Sequence, residues 1–383
     1  VLTRKRTLVV AAVLLGAAFT VQGDDKKKPA PITIALKTIT PRAGVLRLGR
    51  DARGTIPKTV LALRLQQRAF LLVDLDGDGE ITTDGRDGIG LDGIPFIAPL
   101  VTTVLCELGQ CDLKVDAKKK KATLTPQSVD IDPTLVSQAA DLTEMRLRAG
   151  LSLLRLDARA SRALEKHCDY LESNGQADGH GGLEMHKEEE GKPGYSAEGA
   201  AAGAAADLAP QVASFHDALW SWYPTAWHGQ AIVDPGLTTV GVAFKHGVGG
   251  LYFCDPGAPG LPVMVHPVDE ALDVPCAFGA RGEVPNPVPL SDYGKGCGFP
   301  VVARLPFDWK DKDAKITLAD GRGQEVPGTA SCPKSPATRE WPANSQCAVF
   351  IPSRPLAAGT RYKAQLTVDG EEPIAWSFTT ARK

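Results

Sequence analysis

Two stretches hold side chains that could share one polar site. In "MHKEEEGKPGYSAEG" His186 precedes an acidic run, a Gly/Pro turn and Glu198, and in "WSWYPTAWHGQAIVDP" His228 follows Trp220, Trp222 and Trp227. Two imidazoles and one carboxylate can hold Zn2+ or a similar divalent ion while leaving a coordination position open. The same groups can equally form a metal-free polar cleft in which the carboxylate orients one imidazole. His180, in "ADGHGG", competes with His186, but its glycine neighbours suit an exposed loop. His167, His216, His246 and His266 read as helix-flank, helix-surface or loop residues.

A second cluster, "DLDGDGEITTDGRDG", has the order of a calcium loop. Asp74, Asp76 and Asp78 alternate, Gly79 follows at the sixth position and Ile81 at the eighth. Gly85 stands where a bidentate glutamate closes such loops, so Asp84 or Asp87 must substitute, and Glu80 completes the candidate Ca2+ residues. The preceding "AFLLVDLD" reads as a strand, which favours a rigidifying calcium loop over a helix-flanked sensor, with a plain Asp/Gly turn as the alternative.

Catalytic motifs do not claim these residues. A zinc protease helix needs H-E-x-x-H, whereas "HKEEE" has no second histidine. "GYSAEG" misses the hydrolase elbow G-x-S-x-G by one residue. A formal net charge of −2 gives no broad basic field, which argues against nucleic acid as a partner. The basic run Lys118 to Lys121 fits a solvated hairpin tip.

The elements that must position these groups fall into several domains, because 383 residues exceed one ordinary core. Residues 1–23 carry basic Arg4, Lys5 and Arg6, an apolar run from Leu8 to Phe19, and Val21-Gln22-Gly23, the pattern of a secretory signal peptide. A secreted chain, extracellular or periplasmic, is expected, with no transmembrane segment. Eight cysteines in such a chain read as disulfides. Local spacing pairs Cys106 with Cys111, Cys276 with Cys297 and Cys332 with Cys347, leaving Cys168 for Cys254; spacing alone does not fix that connectivity.

Residues 31–130 show short alternating runs broken by Gly and Asp, a β-rich region. In "LDARASRALEKHCDYLESNG" Asp157 is a helix N-cap, Ala160, Leu164, Cys168 and Leu171 share a face, and Gly175 is the stop. "PQVASFHDALWSWYP" repeats the helical period, and the strands "TTVGVAF" and "LYFC" follow. The alanine-rich "AEGAAAGAAADLAP" reads as a tight connection, residues 257–298 as a Pro/Gly-rich linker, and residues 299–383 as a small β-sandwich.

The ordered blocks "LTEMRLRAGLSLLRLDARASRALEKHCDYLESNG", "MHKEEEGKPGYSAEGAA", "WSWYPTAWHGQAIVDPGLTTVGVAF" and "GLYFC" resemble those of bacterial members of the CAP superfamily, also called SCP domains. The resemblance covers about residues 135–256. It implies an α/β/α sandwich with a surface cleft, in which His186 and His228 match the family's two cleft histidines and Glu198 the glutamate of its "GEN" block. Asparagine is absent after Glu198, Thr143 stands where the first block often has asparagine, and Thr225 stands where eukaryotic members carry a second glutamate. "PLAAGTRYKAQLTVDG" and "WSFTT" are similar to the last strands of bacterial immunoglobulin-like domains.

The expected architecture is a central CAP sandwich flanked by a β-rich N-terminal region and a C-terminal β-sandwich. The expected function is non-enzymatic: extracellular binding of a small-molecule or lipid-like ligand in the cleft, or envelope interaction. A metal-assisted hydrolase using His186, Glu198 and His228 is the alternative enzyme class, and a purely structural surface protein is the third.

Overall fold

The computed structural model describes residues 30–43, 46–48, 54–55, 59–65, 68–180, 182–254, 263–278, 283–289, 296–338 and 344–382. The expected signal peptide at 1–23 lies outside them.

Six helices mark the central region: α1 (Pro133–Gln138), α2 (Ala140–Arg148), α3 (Ala158–Ser173), α4 (Ala197–Ala204), α5 (Phe215–Trp222) and α6 (Trp227–Ile232). Their starts follow from side chains that satisfy the otherwise unpaired first-turn amides. Asp157 accepts from Ala160 N at 2.7 Å, Ser196 from Gly199 N at 3.0 Å and Ser214 from Asp217 N at 3.1 Å. Past α3 the chain turns at Gly175, whose φ of 66° favours glycine.

The central sheet runs in the order Arg155–Leu156, Thr239–Lys245, Val248–Phe253, Ala206–Ala209, the first pair parallel and the others antiparallel. Alternation along its strands separates two apolar faces. Val240, Val242 and Leu251 pack with Leu142 of α2, Phe215 of α5 and Ile232 of α6, whereas Ala243 and Val248 pack with Leu164 and Cys168 of α3. Helices thus cover both faces. Gly241 permits the approach of α3, since a Cβ there would lie 2.7 Å from the carbonyl carbon of Ala160.

The N-terminal region forms two sheets. One has seven strands in the order Lys37–Thr38, Thr59–Leu65, Arg68–Asp74, Asp84–Leu91, Phe96–Val101, Leu46–Leu48, Gly54–Thr55; the other orders Ile32–Ala35, Lys121–Pro126, Gly109–Asp116 and Thr103–Cys106. The C-terminal region forms two four-stranded sheets. One apolar cluster continues through all three regions, joining Leu72 and Leu113, Leu147 and Val233, and Phe299 and Trp376.

Polar contacts tie the regions together. From the N-terminal side, Gln110 accepts from Leu156 N at 2.7 Å, Leu105 O accepts from the Thr143 hydroxyl at 2.7 Å, and Arg68 pairs with Glu107, Asp141 and Glu144. From the C-terminal side, Arg304 pairs with Asp234, and Ala226 and Trp227 pack among Phe278, Val302, Cys347 and Val349.

Several expectations are corrected. The 257–298 segment supplies strands Met264–His266 and Ala271–Val274, which join the two C-terminal sheets, so it is not a plain linker among its described residues. The alanine-rich connection contains α4 and a strand, and His266 lies within a strand. Cys168 packs with Ala243 and Val248 near one end of the central hairpin, while Cys254 N bonds to Thr239 O at the other. Six residues at about 3.3 Å each separate Thr239 from Lys245, beyond the reach of a disulfide linking Cys168 to Cys254. Ser331 pairs with Val349, so the register sets Cys332 opposite Ala348, and alternation puts Cys332 and Cys347 on opposite faces. Cys276 and Cys297 flank the bridge between Ala277 and Gly298.

Candidate functional site

A cleft of about 500 Å³ opens beside α5 and α6. His186, the last residue of the 3-10 turn Gly182–His186, and His228, in the first turn of α6, both line it. Trp220, Trp222, Met185, Leu208, Phe278 and Val284 are among its apolar lining residues.

The two imidazoles are held differently. His186 Nδ1 lies 2.9 Å from Gly203 O; a carbonyl only accepts, so Nδ1 carries the proton and the neutral ring keeps Nε2 as an acceptor. Burial, outweighing that hydrogen bond, and the nearby charges of His228 and His167 push the His186 pKa below its ordinary value. His228 Nδ1 lies 3.0 Å from Glu283 Oε2. The same carboxylate accepts from Ala226 N at 2.6 Å and Trp227 N at 2.8 Å, fixing the start of α6. Burial opposes charge on His228, but Asp207 and Glu283 together outweigh it and raise its pKa to about 9. His228 is therefore an imidazolium at neutral pH. Thr225 contributes only a hydroxyl 3.4 Å from His228 Nδ1; the carboxylate against this ring comes from Glu283.

Asp207, on the strand Ala206–Ala209, is 8% exposed, and its Oδ2 is buried without a hydrogen-bond partner. Burial raises its carboxyl to about 6, with His228 opposing the rise and Glu283 adding to it.

Glu198 is not brought to the cleft. Gly199, Ala202 and Gly203 form the buried face of α4, which turns Glu198 outward to pair with Lys166 Nζ at 2.6 Å, its side chain 58% exposed. Gly203 has no room for a side chain because the His167 ring lies against it. That ring is fully buried, contrary to the helix-flank expectation, with Nδ1 2.9 Å from Glu188 Oε1 and Nε2 2.7 Å from Met185 O. Glu188 also accepts from Ser196 N at 2.9 Å, so this pair shapes the chain around His186. His180 is exposed and paired with Asp178.

A zinc-like ion does not fit this arrangement. The Nδ1 contacts of the two rings would not by themselves prevent ligation through Nε2, but Glu198 is elsewhere, and among the described residues only Asp74, Asp76 and Asp78 bring three ligand atoms within 4.8 Å of one another. Those three belong to the calcium-type loop, between strands Arg68–Asp74 and Asp84–Leu91. Asp74 accepts from Gly77 N and Gly79 N, at 2.7 and 3.1 Å, which curls the loop. The other candidates are engaged: Glu80 by Lys118, Asp84 by Arg86 and Thr82, and buried Asp87 by Leu75 N and Thr82 N. Hydrogen bonds from Arg86 and Thr82 lower the Asp84 pKa to about 2.

Sequence reasoning missed Asp207 and Glu283. Asp207 is a lone acid in an alanine-rich strand, a pattern that signals a buried carboxylate. Glu283 lies 55 residues beyond His228 in a Pro/Gly-rich stretch, where no local periodicity marks it.

Helices on both faces of a short mixed sheet, with two histidines lining one cleft, define an α/β cleft domain. Residues 140–255 match the model of the cysteine-rich secretory protein (CAP) family and constitute a domain of that family. Among solved structures, an extracellular protein containing an SCP domain from Bacillus anthracis str. Ames is 13% identical, covering 54% of this chain and 75% of that one, with a TM-score of 0.23. PcoC, a copper resistance protein from Escherichia coli, is 17% identical, covering 30% of this chain and 94% of that one, with a TM-score of 0.17. No curated protein matches the chain. Among the described residues, no helix is long and apolar enough to cross a membrane.

Proposed function

We propose that this is an extracellular, non-enzymatic binding protein whose CAP-domain cleft holds a small or lipid-like ligand. The observation that carries this reading is the composition of the cleft: about 500 Å³, walled by tryptophan, phenylalanine, methionine and aliphatic side chains around a few polar groups. The leader-like residues 1–23 and the family match favour an extracellular or periplasmic location. C-terminal strands that resemble immunoglobulin-like repeats suit a spacer that displays the cleft.

The metal-assisted hydrolase reading loses its third ligand with Glu198 on the surface. The test is mass spectrometry of solvent extracts from the purified protein, joined to titration with neutral and charged short-chain amphiphiles. A co-purifying small molecule, or saturable binding abolished by Trp220→Ala, is the expected result. An empty extract and no binding of any probe overturn the proposal.

A further inference from the structure

We propose that the cleft selects a cationic headgroup, a primary or quaternary amine carried on an apolar body. This inference rests on the reading of the cleft as a ligand site and names the chemistry that site would accept.

Its first support is a charge inventory. Among the described lining residues none is lysine or arginine, while Asp178 and Glu283 are carboxylates. Asp207 lies within electrostatic reach of both His228 and Glu283. Asp178 is paired with His180, so the imidazolium of His228 is set against two carboxylates, Glu283 on the lining and Asp207 buried outside it, and that end of the cleft has one negative charge in excess. His186, neutral, adds only an acceptor nitrogen.

The second support is that the excess lies on an unsatisfied group. Glu283 is bonded by two backbone amides and by His228, whereas Asp207 Oδ2 has no hydrogen-bond partner. A buried carboxylate in that condition costs free energy that a nearby cation recovers and an anion increases. The aromatic lining adds to the same preference, since the faces of Trp220, Trp222 and Phe278 are negative and attract cations, tryptophan most strongly. The Trp220 indole N–H is already donated to Asp141 Oδ2 at 2.9 Å, so the ring is what this side chain offers a ligand. Asp141 is in turn held by Arg68 and His216.

The experiment is calorimetric titration of the full chain, in a metal chelator at neutral pH, with octylammonium, octanol and octanoate as probes of one chain length. Octylammonium is expected to bind about tenfold tighter than octanol, with octanoate weakest. Asp207→Asn should remove most of that preference while leaving octanol unchanged, and Trp220→Ala should weaken all binding. The ranking on the unaltered chain decides the matter even if Asp207→Asn does not fold. Octanol or octanoate binding as tightly as the amine overturns the cation proposal and leaves the cleft reading standing. Amine binding that is indifferent to Trp220→Ala places the amine outside the cleft and also overturns it. No binding by any probe removes both.

Discussion

On one wall of the cleft His186 is fixed by the carbonyl of Gly203, a residue of its own folding unit; on the other His228 is fixed by Glu283, which lies beyond the segment matched to the family. A neutral acceptor and burial leave the first ring uncharged, whereas carboxylates make the second an imidazolium. One residue type thus occupies two protonation states in one cleft, and the difference lies in what each wall borrows. The His186 wall is built from local turns and α4. The His228 wall depends on α6, clamped between the rest of the CAP domain and the C-terminal region. The boundary of the family match is therefore not the boundary of the site.

The strongest way to break this contrast is to release α6. Arg146, fully buried, donates to Ser152 O and to Ile232 O, Asp234 O and Leu237 O at 2.6 to 3.0 Å, tying the end of the His228 helix and the turn after it to the segment before α3. Arg146→Met leaves these carbonyls unpaired and is expected to cost about 3–5 kcal/mol in chemical denaturation. A loss below about 1 kcal/mol would mean that the C-terminal region holds α6 without it.

A smaller effect separates the walls by pH. The His228 pKa is raised to about 9 from an ordinary 6.5, so its contribution is complete below 6.5 and is lost as pH rises through 9. Asp207, raised from 3.8 to about 6, acts in the same sense, its share complete below 3.8 and lost as pH rises through 6. His186 has the opposite sign: its pKa lies below 6.5, so stability is lost as pH falls below 6.5. Glu283→Gln should lower the His228 pKa, seen by imidazole NMR, and flatten the alkaline limb of stability by about 1–3 kcal/mol. The acid limb belonging to His186 should stay in place. If both limbs move together, the two walls are not independent.

The same asymmetry explains what could be read from the residues. Asp157, the apolar face of α3 and the stop at Gly175 were legible because each is a local rule, satisfied within one or two helical turns. The pairing of strands Thr239–Lys245 and Val248–Phe253 was legible because a turn joins them directly. His186 and His228 entered through family resemblance and residue chemistry, and both line the cleft. Glu283 and Asp207 were not legible as their partners, because only tertiary packing brings residues 207, 228 and 283 together. Glu198 misled because its block fits the family while the small residues of α4 turn it to solvent. The cysteine pairings illustrate the same limit, since proximity in sequence does not say which face of a sheet a side chain takes.

Cysteine mapping sharpens the contrast from the N-terminal side. Cys106 and Cys111 are diagonal neighbours on one hairpin, both sulfurs within 3.7 Å of Gly109 O. Peptide mapping under oxidising, non-reducing conditions should find these two joined, and no link from Cys168 to Cys254 or from Cys332 to Cys347. Reducing the 106–111 link should cost about 2 kcal/mol at most, because the closed loop is short. A recovered 168–254 peptide would contradict the placement of α3 against the central hairpin.

The smallest expected effect comes from the loop remote from both walls. Asp74, Asp76 and Asp78 converge, but Arg86 Nη1 lies 3.3 Å from Asp76 Oδ2 and 3.9 Å from Asp78 Oδ2, so a guanidinium already neutralises part of the cluster. Calcium must displace it, and the missing twelfth-position carboxylate leaves fewer oxygens to reward the exchange. Chelator-stripped protein titrated with Ca2+ should therefore bind weakly, and Arg86→Ala should tighten binding about tenfold. The accompanying gain in stability follows mass action and is confined to the N-terminal region, so the His186 and His228 titrations should not change. Calcium that shifts either ring would show that the borrowed support of the cleft extends as far as this loop. Binding absent from both the parent and Arg86→Ala would leave the aspartates as a plain turn.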